Sequence, residues 1–312
     1  MAARCTKALL VSLISVSWAL VPAVSAAAAP VAHTEAATGV SYSSAVLNGS
    51  INNDTTGGAY FFQYGPTGKV DLTTPVQPLA PSSSKVHVSQ TITGLQPFTT
   101  YHFRLVVTGA TAANTVGFTT PKIPLSVAIV AVPNPVTYGQ PFTVEGTLSG
   151  TGNGKRELML QYNPFPFASA FAQFGNALVT NSVGGFLFPV LGVTQNTQFR
   201  VSTVGTAPVA SPIVTEQVAV RVTMRAHSTR RKGYARLYGT VEPAEAGALV
   251  GFQRVIPHHR TKNVGGTVVK SRSATQSVFS RVVRVHKGIY QALVKVADGS
   301  HVSASSLPIL IR

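Results

Sequence analysis

Beyond residue 30 the chain carries no long run of apolar residues at helical spacing; over strand-length segments, apolar residues recur instead at every second position. Tyr101, Phe103, Leu105 and Val107 alternate with His102, Arg104, Val106 and Thr108. In the same way Tyr290, Ala292, Val294 and Val296 alternate with Gln291, Leu293, Lys295 and Ala297. A period of two sends alternate side chains to opposite faces of a pleated strand, so each segment can bury one face and wet the other. Gly, Pro, Asn and Ser separate the segments, and 27 Gly and 20 Pro supply the turns. The expected fold class is all-β, as tandem β-sandwich domains of about 100 residues each.

The first residues read as an export signal. Arg4 and Lys7 precede an apolar run from Ala8 to Val24, and Val24-Ser25-Ala26 offers small residues for cleavage. Residues 1–26 are expected to be removed, with Ala28 as the second choice of cut. The run is broken by Ser12, Ser15, Ser17 and Pro22 and falls short of the ~20 apolar residues of a spanning helix. The single cysteine, Cys5, lies in this segment. A mature chain without a thiol has no disulfide, thiolate metal site or cysteine nucleophile, so each domain must stand on its core alone. The expected location is secreted or at the cell surface, with no membrane span once the signal is gone.

Residues 31–121 carry a more specific pattern. Leu95-Gln96-Pro97-Phe98-Thr99-Thr100-Tyr101-His102-Phe103-Arg104 resembles the turn into strand F of a fibronectin type III domain, where the tyrosine hydrogen-bonds back to upstream backbone. Ala45-Val46-Leu47-Asn48-Gly49, Tyr60-Phe61-Phe62-Gln63-Tyr64-Gly65 and Gly117-Phe118-Thr119-Thr120-Pro121 resemble the bacterial variant of that family. The strand-B tryptophan of the animal branch is missing, as is any Arg-Gly-Asp, so integrin binding does not carry over. The resemblance implies a fold and no function.

The remainder is an internal repeat. Gly146-Thr147 aligns with Gly239-Thr240, Leu160-Gln161 with Phe252-Gln253, Phe186 with Phe279, and Phe199 with Tyr290. Both copies resemble the immunoglobulin-like modules of exported bacterial proteins, without the inter-sheet cysteine pair. The expected domains are 122–221 and 222–312, the second basic. Lys122-Ile123-Pro124 forms the first linker, and the strand Val218 to Val222 runs almost directly into the last module.

The two copies differ in charge. Residues 221–312 hold 11 Arg and 5 Lys against Glu242, Glu245 and Asp298, a net +13 of the whole chain's +16, whereas residues 122–220 carry +1. A shared scaffold does not need that surplus, and self-repulsion opposes it, so a polyanionic partner is its most direct explanation. If Phe142, Val144, Gly146 and Leu148 point inward in the first copy, then Ala235, Leu237, Gly239 and Val241 do so in the second. Tyr234, Arg236 and Tyr238 then point outward. By the same parity Phe279, Val283 and Val285 face inward and Arg284 and His286 outward, while Arg281 is expected to reach an edge along its aliphatic stem. Arg230, Arg231 and Lys232 lead into the first of these strands, and Lys270 and Arg272 lie in a strand expected beside the second. Together these ten outward or flanking residues form the candidate polyanion-binding face. Arginine's planar fork suits phosphate or carboxylate, and tyrosine can stack on a sugar or base.

Other candidates are weaker. His258-His259 is expected in a loop with Arg254, Arg260 and Lys262, whose charge repels a metal ion. Asn52-Asn53-Asp54 offers a calcium ion one charge only and reads as a surface turn. No cofactor is expected. Of the nine carboxylates only Glu242 and Glu245 are close, flanking Pro243, and no Gly-x-Ser-x-Gly, His-Glu-x-x-His or phosphate loop occurs. The expected function is that of a non-enzymatic, monomeric binding protein. Its partner is an anionic envelope polymer or polysaccharide, with nucleic acid less favoured. The alternative is a structural spacer, or an accessory carbohydrate-binding or adhesion module, whose charge is incidental.

Overall fold

The computed structural model describes residues 29–52, 57–256 and 260–312. The export signal expected over residues 1–26, the turn expected at Asn53-Asp54 and the His258-His259 pair therefore lie outside the described residues. Among the described residues every regular element is a strand, and no helix is long and apolar enough to cross a membrane. The chain divides into two compact units, 1–121 and 122–312.

In the first unit, β1 (Val31–Thr38), β2 (Ser44–Asn52) and β4 (Val86–Thr93) form one antiparallel sheet. The other is built on β3 (Gly58–Pro66), β5 (Thr100–Val107) and β6 (Val116–Thr119). Leu47, Ile51, Phe62, Phe103 and Leu105 fill the space between them. The alternation read at 101–107 holds: Tyr101, Phe103, Leu105 and Val107 are buried, and the residues between them are half-buried. The Tyr101 hydroxyl accepts a hydrogen bond from the Gln96 N–H at 2.9 Å, tying the turn to its strand.

The second unit contains two sandwiches with separate cores. In the first, β7 (Ser126–Val132), β8 (Phe142–Ser149) and β10 (Gly185–Val190) form one sheet. The second sheet is built on β9 (Glu157–Pro164), β11 (Thr197–Thr203) and β12 (Val214–Glu216). In the next sandwich, β13 (Arg225–Ser228), β14 (Tyr234–Glu242) and β17 (Ser277–Arg284) share a sheet with the short strands Arg221–Val222 and Lys270–Ser271. It packs on a sheet of β15 (Leu249–Ile256), β16 (Arg260–Val268) and β18 (Gly288–Lys295). Arg254, Arg260 and Lys262, expected in a loop, thus lie in paired antiparallel strands. Arg260 and Lys262 are exposed on the edge strand β16, which solvates a cation as readily as a loop does, while Arg254 lies on β15 between two strands and donates to the Lys287 carbonyl.

The repeat has a physical cause at its anchor glycines. Gly146 pairs with Phe186 and Gly239 with Phe279. A Cβ at Gly146 would stand 2.0 Å from the Ala128 carbonyl oxygen and 2.8 Å from the Phe186 ring; at Gly239 the same atom would stand 1.9 Å from the Thr223 oxygen and 2.7 Å from the Phe279 ring. In both copies the ring lies over the glycine, and no other residue fits beneath it.

The two sandwiches of this unit are joined by a clasp. The turn Asp298 to Val302 of the last sandwich is held by loops of the preceding one. Asn196 donates its N–H to the Ser300 carbonyl at 2.7 Å and its side-chain amide to the Gly299 carbonyl at 2.9 Å. His301 Nε2 meets the Thr194 carbonyl at 2.9 Å, and Val302 exchanges backbone bonds with Val218 and Val220. Gly299 lies against the Phe165 ring, at φ +78. The repeat pattern suggested modules with only a short connection; these contacts bind the two into one unit.

Near this junction Glu216 is 0% exposed. One carboxyl oxygen accepts the Val136 N–H at 2.8 Å, the other has no partner among the described residues, and burial pushes the group up to about 7. A raised carboxyl is protonated in the folded state while its unfolded counterpart ionises. Stability is therefore fully present below the unfolded value of 4.5 and falls as pH rises toward about 7, by roughly 3 kcal/mol. Urea midpoints at pH 5 and pH 8 should differ more for the native chain than for Glu216→Gln; equal differences would remove Glu216 from the account. Gly146→Ala and Gly239→Ala should each lower stability by about 2–3 kcal/mol through overpacking, and a change within about 0.5 kcal/mol would show that the ring gives way.

Candidate functional site

The basic sheet is ordered by register. Across β14 and β17, Tyr234 faces Arg284, Arg236 faces Val282 and Tyr238 faces Ser280. On the other flank β13 places His227 opposite Arg236 and Arg225 opposite Tyr238. Ala235, Leu237, Gly239 and Val241 are buried, Arg236 is exposed, Tyr238 is 38% exposed and Tyr234 is half-buried. Phe279, Val283 and Val285 are buried while Arg284 and His286 are exposed. Arg281 leaves the inward parity and donates to the Gly266 carbonyl at the edge of the opposite sheet.

The structure brings some of the sequence candidates together and separates others. Arg230, Arg231 and Lys232 lie exposed in the turn before β14, and the Arg231 guanidinium stands 4.1 Å from the centroid of the Tyr234 ring. Lys270 pairs with Val278, six residues along the strand from Arg284, a separation of roughly 20 Å between backbone positions. Arg236 and Arg284 are diagonal neighbours rather than opposite ones. His286 lies beyond the end of β17, where its backbone N–H and carbonyl both bond the Tyr290 hydroxyl at 2.9 Å.

Two basic residues escaped the sequence reading. Arg225 and His227 extend the face onto β13, beside Arg236 and Tyr238, and border a shallow open basin that reaches Lys270 and Arg272. All four residues of β13 are exposed, so it lacks the buried alternate positions by which the other strands were recognised.

One end of the face is closed by a hydrogen-bonded row. Arg221 donates to Glu242, Gln276 donates to the other Glu242 oxygen at 2.7 Å, and Arg272 donates to Gln276 at 2.9 Å. Gln276 first, then Arg221, hold the Glu242 carboxyl below its ordinary value. The face's one carboxylate is thereby committed at its end.

At the clasp, Glu245, Asp298 and His301 bring three possible metal ligands within 4.8 Å of one another, the one such group among the described residues. Their atoms are already engaged. His301 Nδ1 lies 2.8 Å from Asp298 and 3.0 Å from Glu245, Nε2 meets the Thr194 carbonyl, and Asp298 also accepts the His301 N–H at 3.1 Å and the Ser300 hydroxyl. Burial, then the Asp298 charge, raises Glu245, while His301 opposes the shift. The trio is explained as part of the clasp.

These elements define an all-β protein of several sandwich-like sheets. No family model matches the chain, and no curated protein is similar to it. Among solved structures, it is similar to trypsin-activated alpha-2-macroglobulin from Escherichia coli, at 11% identity and a TM-score of 0.26, over 89% of this chain and 23% of that one. The chain thus spans about a quarter of that protein's length. Similarity extends to the FN1-FN3 domains of chicken CNTN1, at 13% identity and TM-score 0.30, over 90% of this chain and 96% of that one. A marsupial T cell receptor follows at 14% identity and TM-score 0.28, over 83% and 95% of the two chains. Nothing that those proteins bind is carried over to this chain.

The end row can be tested by carboxyl titration. Glu242 should titrate below the ordinary glutamate range in the native chain and move upward in Gln276→Ala. The stability linked to it is present above the unfolded value and lost as pH falls through the folded one. An unmoved midpoint in the variant would show that Gln276 does not hold the carboxylate.

Proposed function

We propose that this is an exported, non-enzymatic binding protein whose basic last sandwich associates with an anionic polymer of the cell envelope. One observation carries the reading: the same face of the two repeats has opposite chemistry. In the first copy, Val130, Glu145 and Leu187 form one row, and Val132, Thr143 and Pro189 the next. In the second copy the corresponding rows are Arg225, Tyr238 and Ser280, then His227, Arg236 and Val282. Val130 and Leu187 are 52% and 49% exposed, so the scaffold tolerates apolar residues there and does not require cations.

Concentrated exposed charge raises the local concentration of an oppositely charged polymer, and the release of its counterions makes binding salt-dependent. The uncommitted arginines of the face supply that charge, and their forks match anionic oxygens. The remaining sandwiches act as spacer or display surface.

Charge reversal in the full chain tests the assignment. Arg236→Glu with Arg284→Glu should lower retention on a phosphate- or sulfate-bearing polymer at least about tenfold and leave stability within about 0.5 kcal/mol, as surface substitutions usually do. Lys295→Glu with Arg260→Glu makes the same charge change on the opposite sheet. Equal loss in both pairs would make net charge alone responsible, and binding that ignores salt would exclude counterion release.

A further inference from the structure

The cations of the face are aligned. Arg225 on β13 lies opposite Tyr238, two residues along β14 from Arg236, and Arg284 on β17 lies opposite Tyr234, two residues from Arg236 on the other side. The three arginines therefore occupy successive diagonal positions on three adjacent strands. Diagonal neighbours in a sheet are about 7–8 Å apart, so the backbone positions of Arg225 and Arg284 are separated by roughly 15 Å. Lys270 and Arg272 fall off this line, Arg272 being tied to Gln276.

The same stripe offers little to a flat group. Tyr234 has the Arg231 guanidinium over its ring, and the other rings on these rows are Tyr238 and the imidazole of His227, opposite Arg236. Readers of single-stranded nucleic acid pair a basic groove with aromatic platforms for successive bases, whereas here the ring opposite Arg284, Tyr234, is covered, so the platforms do not run the length of the stripe. What the stripe presents is three forked cations in a line, suited to anions carried in a chain's own backbone.

We infer that the stripe Arg225–Arg236–Arg284 binds a linear polyol-phosphate chain lying obliquely across the strands, each guanidinium engaging a phosphodiester along it. This inference rests on the polyanion-binding reading above and adds to it a ligand class and a direction. Arginine is suited to the task because it presents two parallel N–H donors to two oxygens of one anion, where lysine presents a point charge.

The experiment measures binding of the full chain to synthetic glycerol-phosphate oligomers of two, four and eight phosphates. Affinity should rise steeply until the oligomer spans the three arginines and then flatten. Arg225→Ala, Arg236→Ala and Arg284→Ala should each weaken binding of the eight-phosphate oligomer about fivefold. Each should also reduce the log–log salt slope by about 0.7, the value of one contact on a single strand. Lys270→Ala and Arg272→Ala should change affinity less than about twofold, and thermal melts of all five variants should match the native chain.

If Lys270→Ala or Arg272→Ala costs as much as the stripe variants, the oblique path is overturned while polyanion binding stands. If oligothymidylate of equal phosphate count, or an oligouronate of equal charge, binds more tightly than the polyol phosphate, the ligand class is overturned. If the native chain retains none of these polymers at low salt, the polyanion-binding reading fails and this inference falls with it.

Discussion

The outward chemistry of the last sandwich depends on an inward contact. Gly239 lies beneath the Phe279 ring and against the carbonyl of Thr223, in the segment just before β13, so at that point β14, β17 and this segment can approach only in one register. Because side chains alternate along a strand, a slip of one residue would carry Arg236 and Arg284 into the core and Leu237 and Val283 into water. Neither exchange is tolerable. The identity of the face is thus set by a glycine and a phenylalanine that take no part in it, and the same pair, Gly146 and Phe186, sets the apolar face of the preceding copy.

Within that register, negative charge is kept away from the stripe. The last sandwich has three carboxylates among its described residues. Glu242 is taken up in the end row by Arg221 and Gln276, while Glu245 and Asp298 meet His301 in the clasp. The rows containing Arg225, Arg236 and Arg284 carry no acid. Such an arrangement concentrates positive potential on one sheet at the expense of self-repulsion, which the hydrophobic core beneath it and the contacts of the clasp must offset.

How much of this was legible in the sequence follows from the kind of signal each part leaves. Inward and outward positions on β14 and β17 could be read because apolar residues alternate along both, and the excursion of Arg281 to an edge because an arginine stood at an inward position. The Tyr101 bond was legible from its turn. Strand β13 was not, since Ala226 and Ser228 are as exposed as Arg225 and His227 and leave no period of two. The diagonal of arginines depends on pairing between strands, which a single strand's pattern does not contain. The clasp was hidden for another reason: Thr194 and Asn196 lie over one hundred residues from their partners, and all are polar residues of kinds found in any loop. Glu216 reads as an ordinary glutamate until the sheets close around it.

The clasp also has a mechanical side. Val302 is bonded through its backbone to both Val218 and Val220 and forms a parallel bridge with Ala219, while the Asn196 and His301 bonds lie a few residues away. Where one sandwich ends in a strand and a linker, a pull on one module straightens the linker before it loads the next. Here the linker is already pinned to the turn it would have to leave, and several bonds share the load before any slack is released. A tug on the last sandwich is therefore felt in the one before it.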